Sequence, residues 1–257
     1  AIRLNDLCAR AKDFGMPAAA ITDHGNLYGA AYFYTTCKSY GIKPVIGCEV
    51  YVTKHHRDKD SEFSRVRLHL ILLAKNNEGY HNLVRLVSKG FLDGFHYKPR
   101  VDKALLRQHS EGLIALAACL AGEIPRTLMG ANKLITNGGT FDDAIRQTQE
   151  YMDIYNGRFY LEVQANTLPD QATLNNKLLE LAEHTKVPLV ATNDCHYLNA
   201  DDVEAHDVLL CIQTQAKVND AKRMRFEARD LYYKSSEEME QAFKHIPEAL
   251  SNTVRIA

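Results

Sequence analysis

Apolar positions along the chain alternate between helical spacing and short unbroken runs. Leu4, Leu7, Cys8, Ala11 and Phe14 share one helical face and Gly15 ends the pattern, so the chain opens on a helix. Ala18 to Thr22 is a short apolar run followed by the turn residues Gly25 and Asn26, as expected of a buried strand. A helix is predicted over Leu27 to Tyr40, stopped by Gly41. "KPVIGCEVYVT", with Val45, Val50 and Val52, predicts a second strand and "SRVRLHLILLAKN" a third. Leu83, Leu86 and Val87 then mark one face of a helix in "NEGYHNLVRLVSKGF".

The alternation continues to the end of the chain. Leu113 to Ala117 predicts a fourth strand, and a helical region runs from Glu123 to Tyr155 with a break near "NGGT". "GRFYLEVQ" is a fifth strand. Leu174, Leu178, Leu181 and Ala182 define an amphipathic helix, and "VPLVATND" is a sixth strand. "DLYYKS" is a short strand candidate, and Ile246, Leu250 and Val254 share a face of a last helix. The longest irregular stretch is the charged loop from Thr53 to Arg67.

Strands that read as continuous apolar runs, interleaved with helices, predict an α/β fold around a buried parallel sheet. Six strands are visible, and the opening helix has no strand feeding it. One further strand upstream would bring the count to about seven, close to a β/α barrel. The chain is therefore expected to be one domain over residues 1–257, cut from a longer protein, since it starts on Ala1 and its last helix meets no Gly or Pro stop.

Composition changes this picture little. Of 257 residues, 46% are hydrophobic and 25% charged, an ordinary globular balance. The net charge of -1 gives no support for nucleic-acid binding through overall charge, though a local basic channel stays compatible with it. No apolar run approaches the roughly 18 residues of a membrane span, so no membrane partner is expected. Six cysteines are scattered without a Cys-x-x-Cys pair, as in a reducing, cytoplasmic setting.

The chemistry lies at the strand ends. The first strand ends in Asp23-His24, the second carries Glu49, the third His69, the fourth ends at Cys119 and the sixth in Asp194-x-His196. Active sites of β/α barrels are built from several strands at their carboxyl ends. Imidazole, carboxylate and thiolate suit borderline ions such as zinc. Strand alternation sends Asp194 and His196 to one side and Cys195 to the other. Each residue also has a plainer reading. His69 could be a hydrogen-bonded core histidine, Glu49 a lysine partner, Cys119 a packing residue, and "TDHGN" a polar turn.

Other histidines are read as structural or solvated. His55 and His56 sit in the charged loop, His81, His109, His184 and His245 at helix or turn surfaces, and His206 as a cap or packing residue of an apolar helix. The basic patches "YKPR", ending in Arg100, and "KRMR" could touch phosphates, although short basic runs are usually solvated surface.

"AAAITDHGNLYGAAYFY", "GIKPVIGCEVYV", "HLILLAKNNEGYHNLVRLVSKG", "LAACLAGEIPR", "VATNDCHYL" and "AHDVLLCIQT" resemble the polymerase and histidinol phosphatase (PHP) domain of bacterial DNA polymerase III alpha subunits, over essentially the whole chain. The resemblance implies a distorted seven-stranded, TIM-like β/α barrel holding up to three ions, Zn2+ or Mn2+. It implies His24, Glu49, His69, Cys119, Asp194 and His196 as ligands, with Glu49 bridging and Glu49 and Asp194 catalytic. The family's first motif, His-x-His with a following acidic ligand, falls before Ala1, so the first strand and three ligands are expected to be missing here. Leu68 stands where many relatives have a second histidine beside His69.

The implied activity is metal-dependent 3′–5′ proofreading on DNA, beside a Mg2+-dependent polymerase whose domains follow residue 257. The rival readings are a non-catalytic scaffold that docks a separate proofreading exonuclease subunit, and a stand-alone phosphatase for a small phosphate ester. DNA, the polymerase domains and other replicase subunits are the implied partners.

Overall fold

A computed structural model describes residues 2–135 and 138–257. The opening amphipathic segment is helix α1 (Leu4–Asp13), which buries Leu7, Cys8 and Ala11. It leads into strand β1 (Ala18–His24) and helix α2 (Ala30–Tyr40), whose C-terminus is closed by Gly41 in the left-handed region. Strands β2 (Lys43–Val52) and β3 (Leu68–Ala74) follow, then helix α3 (Asn77–Leu92). The Asn76 side chain caps α3 by accepting from the Gly79 amide, which satisfies one of the otherwise unpaired first-turn donors.

A two-residue strand β4 (Arg100–Val101), helix α4 (Lys103–Gln108) and strand β5 (Leu113–Leu116) come next. Helices α5 (Glu123–Leu128) and α6 (Phe141–Ile154) resolve the long helical region into two, and a Thr140/Asp143 capping box starts the second. The expected break near "NGGT" lies partly outside the described residues. Strand β6 (Phe159–Gln164), helix α7 (Gln171–Thr185) and strand β7 (Leu189–Thr192) complete the sheet. Helices α8 (Val203–Thr214), α9 (Ser236–Ala242) and α10 (Pro247–Ile256) end the chain.

The strands pair in the order β1-β2-β3-β5-β6-β7, with β4 beside β2. This is a mixed α/β sheet curled into an open, TIM-like barrel, with β1 and β7 at the two ends of the order. The expected all-parallel sheet needs correction, because β3 runs antiparallel to both β2 and β5. The cause is visible in the connection: β2 and β3 are joined by the loop 53–67 without a crossover helix, and a parallel return needs one. The seventh strand among the described residues is β4, which the apolar pattern did not reveal.

Both faces of the sheet are covered. Leu70 and Leu72 of β3 join the large cluster with Leu83, Leu86, Leu174, Leu178 and Leu181 of the helices. The inner face is graded from apolar to polar. Leu73, Ile114, Leu116 and Val190 pack together with Val45 and Ile71 at one end. Two-residue alternation then carries the same face to Glu49, His69, Glu162 and Thr192 at the other end. The apolar end excludes water, and the polar end forms the mouth.

Four local expectations change. "DLYYKS" forms an isolated bridge, Tyr197 to Tyr232, rather than a strand. The last helix buries Ala249 and Asn252 while Val254 is exposed, because the Asn252 amide donates to the Leu189 carbonyl at 2.8 Å and fixes that face on β7. His56 is held by Asp102 at 2.6 Å rather than loose in the loop. The Nε2 of His109 is buried.

Candidate metal centre

Sheet register assembles the centre. His24 is the parallel partner of Glu49 across β1 and β2, and His69 is the antiparallel partner of Tyr51, two residues beyond Glu49. Partners and i, i+2 neighbours share a face, so His24, Glu49, Tyr51 and His69 point the same way. His69 stands at the amino end of β3, not its carboxyl end. The reversal of β3 is what brings it to the same rim as the ends of the parallel strands.

One Glu49 oxygen lies 3.1 Å from His24 Nδ1, and the other contacts His69 Nδ1. Donor atoms of the three residues all lie within 4.8 Å of one another. Burial pushes the Glu49 carboxyl up, but the hydrogen bond from His69 and the charges of His69, His24 and His196 outweigh it, leaving the carboxyl below its ordinary range. His24 keeps half of its side chain exposed, which leaves the centre open on that side.

Cys119 enters from the β5 exit. Ala118 adopts a left-handed conformation, the Gly122 amide donates to the Cys119 carbonyl at 2.8 Å, and the His69 amide donates to the Ala121 carbonyl at 3.0 Å. This turn sets the Cys119 thiol 3.8 Å from His69 Nδ1. Burial, with Asp194 and Glu49 nearby, raises the thiol well above its ordinary range.

Asp194 and His196 arrive by a different route from the expected one. Strand β7 ends at Thr192, so strand alternation does not orient them. Asp194 instead has a φ of 46°, a left-handed step that aspartate tolerates better than most residues. The step folds His196 back until its Nδ1 lies 2.7 Å from the Asp194 carbonyl and 3.8 Å from its carboxylate. Residues 230–233 brace the turn: the His196 amide donates to the Leu231 carbonyl at 2.8 Å, and the Tyr197 hydroxyl accepts from the Leu231 amide at 3.1 Å. Burial raises the Asp194 carboxyl; His196, His24 and His69 oppose the shift, while Glu49 adds to it. Cys195 turns aside, its thiol 3.6 Å from both the Asn193 amide nitrogen and the Tyr232 carbonyl. His206 packs with His196 and Phe226, and burial lowers it to about 4.

Arg100 is elsewhere, and the expectation that it meets substrate is corrected. Its side chain is 0% exposed, and it donates to the carbonyls of Gly94, Ser64, His56 and Asp58. A buried guanidinium needs partners for its fan of donors, and the irregular loop supplies carbonyls that no sheet ladder uses.

Glu162 was missed by the sequence reading. It is buried on β6, where its Oε1 accepts from Gln164 at 3.2 Å and from Thr192, while its Oε2 is buried without a hydrogen-bond donor. Burial raises it to about 7, with Asp194 and Glu49 adding to the effect. The signal was present: "FYLEVQ" places a carboxylate and an amide two apart, on one face of an otherwise apolar strand.

These groups fit a divalent cation. Glu49, Asp194, Glu162 and the Cys119 thiol lie close enough to act on one another, and a cation relieves both their repulsion and the cost of burying their charge. Imidazole, carboxylate and thiolate are the donor types with which proteins hold divalent transition metals.

A curled α/β sheet with such a cluster at its polar mouth defines a class, and comparison with known proteins gives the family. A profile described as the PHP domain matches residues 1–166, more than half of the chain, and the chain belongs to the PHP domain family. The DNA polymerase III subunit alpha of Borreliella burgdorferi is 43% identical over 100% of this chain and 22% of its own length. That of Treponema pallidum is 44% identical over 99% of this chain and 21% of its own length. The chain thus spans about a fifth of these relatives. A solved structure from Bifidobacterium adolescentis, described as a candidate metal-dependent phosphoesterase, covers 74% of this chain and 81% of its own with 13% identity and a TM-score of 0.41. Among the described residues, no helix is long and apolar enough to cross a membrane.

Proposed function

We propose that this domain is a metal-dependent phosphodiesterase acting at DNA 3′ ends, within the alpha subunit of a replicative DNA polymerase. The observation that carries this reading is the convergence of His24, Glu49 and His69 donor atoms within 4.8 Å, with the Cys119 thiol 3.8 Å from His69 Nδ1. Zinc or manganese held there would polarise a phosphate oxygen and the attacking water.

The chain's own residues divide the remaining work. Glu49 presents one oxygen to each of two imidazoles and would hold a divalent cation together with them. Asp194 brings a second carboxylate that feels the charges of Glu49, His24 and His69, and the Cys119 thiol stands beside His69. The half-exposed His24 leaves a side of the centre open to a phosphate. The likeness to polymerase alpha subunits supports DNA as the substrate, and the polymerase domains, other replicase subunits and a cytoplasmic setting as the context.

The test is release of nucleotides from a 3′-labelled oligonucleotide by protein loaded with zinc or manganese. Hydrolysis is expected to be abolished by chelator and to fall at least about a hundredfold in Glu49→Gln and Asp194→Asn, the scale of losing a group that holds the catalytic ion. Metal-loaded protein that hydrolyses no phosphodiester would overturn the reading in favour of a scaffold.

A further inference from the structure

The patch "YKPR" divides in the fold. Arg100 turns inward, and Pro99 is buried beside Gly25. Tyr97, at a φ of 62°, turns outward and is 62% exposed, and Lys98 is exposed beside it. Their position relative to the metal centre is fixed by ring contacts. Lys98 Nζ lies 5.7 Å from the centre of the Tyr51 ring. That ring lies 5.4 Å from His69 and 6.3 Å from His24. Arg67 and Tyr28 also act on Tyr51, and Tyr28 is 78% exposed.

The outer edge of this rim is Arg65, whose guanidinium stacks 5.2 Å from the Tyr97 ring centre and donates to its hydroxyl at 3.3 Å. Beside Tyr97, burial lowers the pKa of His96, and Arg100, Arg65 and Lys59 add to the shift, with Asp60 opposing. A cationic rim with exposed tyrosines is more than a small phosphate ester needs. It matches a single strand, whose phosphates take the cations and whose bases stack on the rings.

We propose that Tyr97 and Lys98, with Arg65, Arg67 and Tyr28, grip the 3′-terminal nucleotides of single-stranded DNA and deliver its last phosphodiester to the His24–Glu49–His69 cluster. The proposal rests on the phosphoesterase reading above for its chemistry, but its binding step is separable. The decisive experiment is fluorescence anisotropy of a labelled single-stranded 12-mer against the chain in chelator, across a salt series. The double variant Tyr97→Ala, Lys98→Ala is expected to bind at least about tenfold more weakly, from one lost stacking platform and one lost cation. Its slope of log affinity against log salt is expected to be shallower by about 0.7, one phosphate contact. Equal affinity and equal slope would overturn the grip. In parallel, manganese-loaded protein is assayed on bis(p-nitrophenyl) phosphate, a single phosphodiester with no strand for the rim to grip. Turnover unchanged in the variant, with DNA degradation reduced through KM, supports the proposal; equal loss on both substrates overturns it. If wild-type protein turns over neither substrate, the phosphoesterase reading falls and the anisotropy still decides the grip.

Discussion

At the scale of the residue, Glu162 is a carboxyl whose proton the fold retains. Its carboxyl is raised from 4.5 to about 7 by burial and by the nearby carboxylates. Below about pH 4.5 both native and unfolded chains hold this proton. As the pH rises towards 7 the unfolded chain loses it first, so metal-free stability falls by roughly 3 kcal/mol across the window. Glu162→Gln removes that slope. Thermal midpoints in chelator at about pH 5, 6, 7 and 8 are expected to diverge, with the wild type losing ground to the variant as pH rises. Parallel curves would show that the Glu162 proton is not linked to folding. Arg100 is the opposite case, a buried guanidinium that donates to four backbone carbonyls of the fold. Residue type alone could not separate it from Lys98, because which of the two turns inward depends on the left-handed step at Tyr97.

At the scale of the element, short turns place the donors that strands cannot. The segment from Ala117 to Gly122 sets Cys119 against His69, and it is closely packed. A Cβ on Gly122 would sit 2.1 Å from the Ala117 carbonyl oxygen, nearer than any real contact. Gly122→Ala is therefore expected to cost about 2 kcal/mol in chemical denaturation. It should also weaken metal binding, whereas an equal loss of stability from a distant site should not. Unchanged stability would mean that the turn yields freely. Helix and strand positions were legible in the sequence because apolar spacing and caps are local, as at Asn76 and Gly41. The direction of β3 was legible only through an absence, the missing helix between residues 53 and 67. The pairing of Asp194 with His196 was anticipated for a reason the fold does not use, since the side they share comes from a turn after β7 rather than from strand period.

At the scale of the whole molecule, the sheet's inner face runs from an apolar end at Val45, Leu73, Ile114 and Val190 to a polar mouth at Glu49, His69 and Glu162. Most of that mouth is legible in the sequence as polar residues interrupting apolar runs, whereas Glu162 is masked by the apolar content of β6. The buried carboxylates Glu49 and Glu162, the part-buried Cys119 thiol and the imidazoles of His24 and His69 are the observations behind the proposed cation. The most direct measurement is the metal content of the protein after loading with zinc or manganese and exhaustive desalting, by inductively coupled plasma mass spectrometry. Wild-type protein is expected to keep at least about one ion per chain, and Glu49→Gln and a His24→Ala, His69→Ala double variant, each shown folded by circular dichroism, are expected to keep little or none. Equal retention by all three, or no retention by the wild type, would contradict the assignment of this cluster as a metal centre.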